Sequence, residues 1–518
     1  MPVALSYPGV YLQELPSSVR TITGVATSIA AFVGQAARGP VNTPVTLTSY
    51  ADFERIFGGL WVNSRLGYAV NDFYQNGGTT AVIVRIVHSD AAAATISPGG
   101  LSLLAANEGQ WGNNLQGVVD TQVQAAVATQ FGVKTTDLFN LSVRDSGTGT
   151  IEIYRNLTVI ESPRRIDKVL PIESTLVKLG SLPAAPPTPN NAPAAGQTIW
   201  SDANAHTSAA AGTGIDGADL VENDFVGPGL DVAKHGLYAL QNVDLFNILC
   251  IPPYMNGHLD VDPDLVGKAA TFCETRRAVL LVDPPSAWTT IAQAQSGVAN
   301  VGTSSANAAV FFPRINEVDP LHNNMLDTYV PCGAVAGIMA RTDAQRGVWK
   351  APAGIEATLV GVSALSLLMT DLENGLLNPL GVNCLRSFPA AGRVVWGSRT
   401  LQGNDGLASQ WKYLPIRRLA LFLEESLFRG TQWVVFEPND TPLWAQIRLN
   451  VGAFMQGLFR QGAFQGSSPK DAYFVKCSSE TTTQTDIDNG VVNIVVGFAP
   501  LKPAEFVVIQ IQQIAQQP

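Results

Sequence analysis

Few residues of this 518-residue chain have the type and spacing for covalent chemistry. Ser304, in the run GTSSANAA from Gly302, is the foremost nucleophile candidate, but a serine attacks only beside a hydrogen-bonded base that a carboxylate orients. The one His-Gly pair is His235–Gly236, and Asp231 sits just before it in the same segment, where a triad carboxylate would close a separate strand. The run therefore predicts a loop ahead of the strand AVFFP and no catalytic residue. The histidines, His88, His206, His235, His258 and His322, are too far apart for ligand spacings such as H-x-x-x-H, so no metal is expected. Cys250, Cys273, Cys332, Cys384 and Cys477 form no C-x-x-C pair and predict reduced, mostly buried thiols. Neither G-x-x-x-x-G-K-[ST] nor G-x-G-x-x-G after a strand occurs, so no nucleotide or other cofactor is expected.

Composition points to contact, not catalysis. Charged residues make up only 14% of the chain, against about 25% in an average soluble domain. A membrane segment would account for that, yet no charge-poor apolar run reaches the ~20 residues a spanning helix needs. Thr21 to Ala37 comes nearest and is diluted by Gly, Ser, Thr and Gln. Extensive subunit contact, whose core is depleted of charge, is the better account, and no membrane insertion is expected. A net charge of −10 without a basic patch argues against a nucleic-acid partner. The start MPVALSYPGVYLQE has no basic region followed by an apolar core, so it does not read as a secretory signal and synthesis in the cytoplasm is expected.

The most strongly patterned stretch runs from Trp411 to Gly466 and predicts helix, strand, helix. Pro415 suits a first helical position, Leu419, Leu423 and Leu427 recur on one face, and Gly430 supplies the stop. TQWVVFEP predicts a short strand. Asp440 or Thr441 can cap a second helix, Pro442 to Gln461, whose apolar stripe runs from Leu443 to Phe459. Gln446, Asn450, Gln456, Gly457, Arg460 and Gln461 fall opposite that stripe, with Arg448 at its margin.

Taken in order, the chain predicts a mixed α/β fold in several domains. Residues 1–23 hold two short β-capable runs with too few apolar residues for a core, which predicts an arm. Residues 24–90 (strand SIAAFVG, helices from Ser49 and Arg65, strand TAVIVRIV) open an α/β core. Residues 91–218 turn β-rich and predict an inserted domain; within it, the Pro-, Ala- and Asn-rich run 181–214 is too poor in apolar surface to order itself and predicts an exposed, mobile loop. The α/β texture returns over 219–400: strands NILCIPP, AVLLVDPP and AVFFP alternate with helix-like DLVGKAATFCETRR and WTTIAQAQSG, and a helix is expected over IEATLVGVSALSLLMTDLENG. Residues 401–500 form a C-terminal domain and 501–518 a final arm. There AEFVVIQIQQ alternates Val507, Ile509 and Ile511 with Phe506, Val508 and Gln510, and nothing follows to cover its edge.

Many long words in one order carry a family resemblance. RSFP at Arg386, VVWGSRTL at Val394, WKYLPIRRL at Trp411, GTQWVVFEPND at Gly430, LWAQIR at Leu443 and APLKPAEF at Ala499 resemble the tail sheath proteins of contractile phage tails and related injection systems. So do PGVYLQE at Pro8, GPVNTPVTLTSYADFERIFGG at Gly39, WGNNL at Trp111 and GAVAGIMARTDAQRGVWKAPAG at Gly333. The resemblance implies a structural subunit stacked in six-fold rings around an inner tube, with contraction driving the tube through a target envelope. Its partners would be other sheath subunits, the inner tail tube protein, and baseplate and terminal cap proteins. It would be assembled in the bacterial cytoplasm and found in a virion tail or injection particle. The resemblance also implies that the arms add strands to neighbouring subunits, which singles out Val10, Tyr11, Leu12, Val19 and Ile22 at one end. Phe506, Val507, Val508, Ile509 and Ile511 are their counterparts at the other end. Arg448, Gln456 and Arg460 become candidates for facing the tube, and the insertion would sit on the outer surface. The competing classes are a subtilisin-like hydrolase, on the GTS-x-A context of Ser304, and a non-contractile coat or tube protein.

Overall fold

Residues 20–510 are described by a computed structural model, in which the chain divides into two units. The larger comprises Ser28–Thr342 with Pro352–Lys412; the smaller takes the residues up to Thr27, Asp343–Ala351, and the chain from Tyr413 onward.

The larger unit is built on an eight-stranded sheet. From edge to edge it runs Gly392–Val395, Val382–Phe388, Ala308–Phe312, Val279–Val282, Ile248–Cys250, Ala30–Gly34, Ala81–Arg85 and Val45–Leu47. The inner strands are parallel and both edge strands antiparallel. A sheet covered on both faces needs continuous apolar runs, and AAFVG, AVIVR, VLLV and AAVFF are buried at every position. The helix Tyr50–Phe57 starts at Ser49, whose hydroxyl accepts the Asp52 amide at 3.2 Å, as the sequence predicts.

A helix forms at Cys332–Arg346 and not over 355–375, where one was expected. Every residue from Cys332 to Ala340 is buried, so this helix has no polar face and no amphipathic period to betray it. It lies close on helix Leu66–Gln75: a Cβ at Gly333 would sit 2.0 Å from the Ala69 carbonyl oxygen, and one at Gly337 2.4 Å from that of Phe73. The 355–375 stretch turns at Gly361 (φ +85), adds the short strand Ala364–Leu365 beside Ile315–Asn316, and becomes helical only at Asp371–Leu377.

The β-rich insertion forms two sheets around its own apolar cluster: Thr207–Ser208, Leu115–Asp120, Leu138–Asp145 and Ile151–Thr158 in one, Thr95–Ile96, Leu103–Ala105 and Val177–Leu179 in the other. The run 181–214 corrects the expectation of a mobile loop. The Thr188 amide donates to Gly99 O at 2.9 Å, the Asn190 amide to Val119 O at 2.9 Å, and the Asn190 side chain accepts the Val119 amide in return at 2.9 Å. Ala205 is fully buried, and Asp202 accepts the amides of Ala194 and Asn204. Composition measures apolar burial, whereas this segment is held by backbone and amide hydrogen bonds to the flank of a strand.

In the smaller unit, helices Leu414–Gly430 and Thr441–Arg460 pack around Leu419, Leu423, Trp444, Ile447, Val451 and Met455. Asp440 caps the second, accepting the Leu443 amide at 3.0 Å. TQWVVFEP is not a strand. Its amides bond back into the helix end and a 3-10 turn at Gln432–Val434, and no strand among the described residues pairs with it. The strongest polar contact is a buried fork: Arg418 donates to both oxygens of Asp343, at 2.8 and 2.6 Å, and to the Thr27 carbonyl at 2.9 Å. Both side chains are 3% exposed, so neither charge could be left without the other.

Two outcomes follow from the larger unit. Gly337→Val should force the two helices apart and cost on the order of 1–3 kcal/mol, read as a lower urea midpoint; an unchanged midpoint would mean that the close approach is not needed. Asp283 follows the strand Val279–Val282, with Oδ1 accepting the Cys332 amide at 3.1 Å and Oδ2 unpartnered. Burial pushes its carboxyl up to about 7, against the opposing pull of the Cys332 contact and Arg314. A carboxyl raised on folding contributes stability that is complete below its unfolded value and lost as pH climbs through the folded one. Asp283→Asn should therefore gain on the wild type as pH rises from the unfolded value towards 7, by roughly 1.4 kcal/mol per pH unit, and hold that gain above it. Urea unfolding of both proteins between pH 4.5 and 8 checks this, and parallel curves would refute it.

Candidate assembly surfaces

The serine run is a structural turn. Ser304 is exposed, the Ser305 hydroxyl donates to Glu274 and accepts the Asn307 amide at 3.0 Å, and Thr303 accepts the Ser305 amide at 3.1 Å. Gly302 (φ +94) is needed for packing, since a Cβ there would lie 2.0 Å from the Pro263 carbonyl. His235 precedes the turn Gly236–Asn242 and Asp231 lies in the short helix Leu230–Ala233; neither hydrogen-bonds to Ser304 among the described residues. All five cysteines are buried free thiols, and burial pushes that of Cys384 up to about 12.

The C-terminal segment leaves four consecutive apolar side chains open to solvent. Phe506, Val507, Val508 and Ile509 are 75, 82, 82 and 79% exposed, and their backbone joins no strand. The segment is anchored just before them, where the Tyr413 hydroxyl donates to Glu505 at 3.1 Å. Among the described residues the same unit carries a sheet of two antiparallel strands, Tyr473–Lys476 and Val495–Phe498, each with an unpaired outer edge. Phe474 and Val495 are exposed on it. A two-stranded ribbon is marginal alone, and further strands are what stabilise one.

At the other end, Val10, Tyr11, Leu12 and Val19 lie outside the described residues, as does Ile511 of the C-terminal arm. Ile22 corrects its assignment to a subunit-interface arm. It is 6% exposed in the unit's own apolar cluster, with its side chain against Gly430. The Arg20 amide donates to the Asn450 side chain at 3.1 Å and its guanidinium lies 4.7 Å above the Trp433 ring. This segment is thereby laid onto the side of the second helix that a helical wheel marks as polar.

That covering also corrects the polar face of Thr441–Arg460. Asn450 is 2% exposed. Arg448 donates to the Cys477 carbonyl, and Gln456 accepts the Tyr473 hydroxyl at 2.8 Å, so both are engaged within the unit. Gln446, Leu449, Ala453 and Arg460 are exposed. Of the three tube-facing candidates only Arg460 is left open. A wheel drawn from sequence carries no information about which other segments lie on the helix. The Val435–Phe436 step, read as strand, is instead an exposed apolar link between the helices, Phe436 having φ +70.

Two family models match this chain: the phage tail sheath protein central domain over residues 232–401 and the phage tail sheath C-terminal domain over residues 408–514. The tail sheath protein of Burkholderia phage BcepMu is 24% identical over 477 residues, covering 88% of this chain and 87% of its own. A putative prophage major tail sheath protein of Pseudomonas aeruginosa is 24% identical over 176 residues, 33% of this chain and 42% of its own. In fold, the chain is similar to the helical sheath of the anti-feeding prophage in its contracted state (TM-score 0.57, 22% identity, 98% of this chain and 100% of that one). A sheath tail protein of Listeria innocua aligns with TM-score 0.60 at 13% identity, over 93% of this chain and 96% of that one. With adjoining family models over most of its C-terminal half and a relative matched along nearly its full length, the chain belongs to the phage tail sheath protein family.

Proposed function

We propose that this protein is the repeating subunit of a contractile sheath, stacked in six-fold rings around an inner tube and contracting to drive that tube through a target envelope. The observation that carries the mechanism is the exposed, unpaired segment Phe506–Ile509 in a unit that also holds a two-stranded sheet with open edges. A chain cannot bend this segment into its own sheet and also link to a neighbour, so each subunit's segment adds to a neighbour's ribbon by strand addition. The N-terminal arm, Val10 to Val19, makes a second link of the same kind. Tethers of this type let subunits rotate and repack during contraction without the lattice coming apart, and deeper burial in the contracted lattice supplies the work.

The larger unit is the body that the tethers carry, and the insertion lies on the outside. Arg460 and the exposed side of Thr441–Arg460 face the tube in this reading; baseplate and cap proteins meet the two ends of the stack. The anti-feeding prophage baseplate structure, similar in fold over 99% of this chain at TM-score 0.55, supports the baseplate contact. No helix among the described residues is long and apolar enough to cross a membrane.

Ending the chain after Pro500 tests the tether. Among the described residues the segment makes no internal strand pairing, so the shortened subunit should fold with an unchanged circular dichroism spectrum and nearly unchanged melting. It should fail to form extended sleeves under electron microscopy. Each lost link removes several backbone hydrogen bonds at ~0.5–1.5 kcal/mol net and apolar side chains at roughly 1.5–3 kcal/mol apiece when fully buried. Normal sleeves, or an unfolded subunit, would each contradict the reading.

A further inference from the structure

The hairpin Ile315–Asp319/Met325–Tyr329 assembles a group of side chains that sequence spacing hides. Its register pairs Glu317 with Asp327, Asp319 with Met325 and Ile315 with Tyr329. Alternation along the strands therefore puts Glu317, Asp319, Asp327 and Tyr329 on one face and the exposed Val318 and Leu326 on the other. The acidic face meets helix Leu66–Gln75. There the Tyr68 hydroxyl donates to Asp319 Oδ1 at 3.0 Å and the Arg65 guanidinium to Asp327 at 3.1 Å.

Asp319 also caps the turn Pro320–His322, its Oδ1 accepting the Leu321 amide at 2.8 Å. The turn swings His322 back over the strand end until its Nδ1 is 2.5 Å from Asp319 Oδ2. One donor atom each from Asp319, His322 and Asp327 then lies within 4.8 Å of the other two. One buried group marks this point as incomplete. Asp319 is 0% exposed, with the His322 imidazole as the partner of its Oδ2. Tyr329, 2% exposed and stacked on Tyr68 at 4.6 Å, has a hydroxyl with no hydrogen-bond partner. A buried polar atom left without a partner costs about 1–3 kcal/mol, and one beside this cluster calls for a further group.

We propose that Asp319, His322 and Asp327 bind a divalent transition-metal cation, closing the hairpin turn onto the body of the larger unit. One imidazole and two carboxylates are a donor set suited to Zn²⁺, with Mn²⁺ as the harder alternative. Three protein ligands leave further positions to water. The half-exposed His322 ring can rotate outward to the roughly 3–3.5 Å ligand separation that bonds of ~2.1 Å impose.

The full-length subunit, stripped with chelator and dialysed, should take up one equivalent of Zn²⁺ in calorimetry and melt several degrees higher with it. His322→Ala and Asp327→Asn, both at exposed or partly exposed positions, should fold normally and weaken binding at least tenfold. His88→Ala, in the separate His88–Asp90 pair, should bind as the wild type does. Competition with Mn²⁺ and Mg²⁺ should rank Zn²⁺ first and Mg²⁺ last. Absence of binding to the wild type at millimolar Zn²⁺, or equal binding by wild type, His322→Ala and Asp327→Asn, would overturn the proposal.

Discussion

Backbone amides and carbonyls, together with apolar side chains, must find partners somewhere, and the segment Phe506–Ile509 finds none within the described chain. Four consecutive large apolar residues stand more than 70% exposed on a strand-like sequence. An isolated protein would hide or truncate such a segment, because an open apolar edge invites association. Keeping it exposed makes sense when association is the purpose. The rest of the smaller unit is arranged around that condition. The Tyr413–Glu505 contact fixes where the segment leaves the surface, and the two-stranded ribbon offers edges of the right kind.

The two units divide the physical labour. The larger one satisfies its backbone internally: inner strands paired on both sides, helix Cys332–Arg346 set against helix Leu66–Gln75 at distances only glycine allows, and an insertion whose polar run is tied down by hydrogen bonds. Such a body can move as a piece. In the smaller unit the Arg418–Asp343 fork, which also holds the Thr27 carbonyl, and the Arg20–Asn450 hydrogen bond tie residues 20–27 to the two helices. Rigid bodies on compliant tethers are what a lattice needs if it is to change its packing and stay connected.

How far the sequence could be read depended on whether burial left a periodic trace. Central strands such as AVIVR and AAVFF announce themselves because both faces are apolar, and Ser49 and Asp440 mark helix starts by their own chemistry. Helix Cys332–Arg346 is buried on all sides through its first nine residues and left no period, so the expectation drifted to 355–375. The hairpin at Ile315–Tyr329 turns its acidic residues inward, opposite to the usual pattern, and so escaped notice along with Asp319, His322 and Asp327. Asn450, Arg448 and Gln456 sat on a correctly drawn polar face or its margin, but nothing local to the helix says that Arg20, Cys477 and Tyr473 come to lie on it. The exposed C-terminal segment was readable from its alternation of apolar residues.

The central claim is that the backbone of Phe506–Gln510 gains its hydrogen bonds only between subunits. Hydrogen–deuterium exchange with mass spectrometry, on dissociated subunits and on assembled sheaths, measures this whatever the register of the pairing. The account predicts rapid exchange of these amides in the free subunit and strong protection in the sheath, together with new protection along Tyr473–Lys476 or Val495–Phe498. Fast exchange of the segment in intact sheaths, or protection already present in the free subunit, would contradict it.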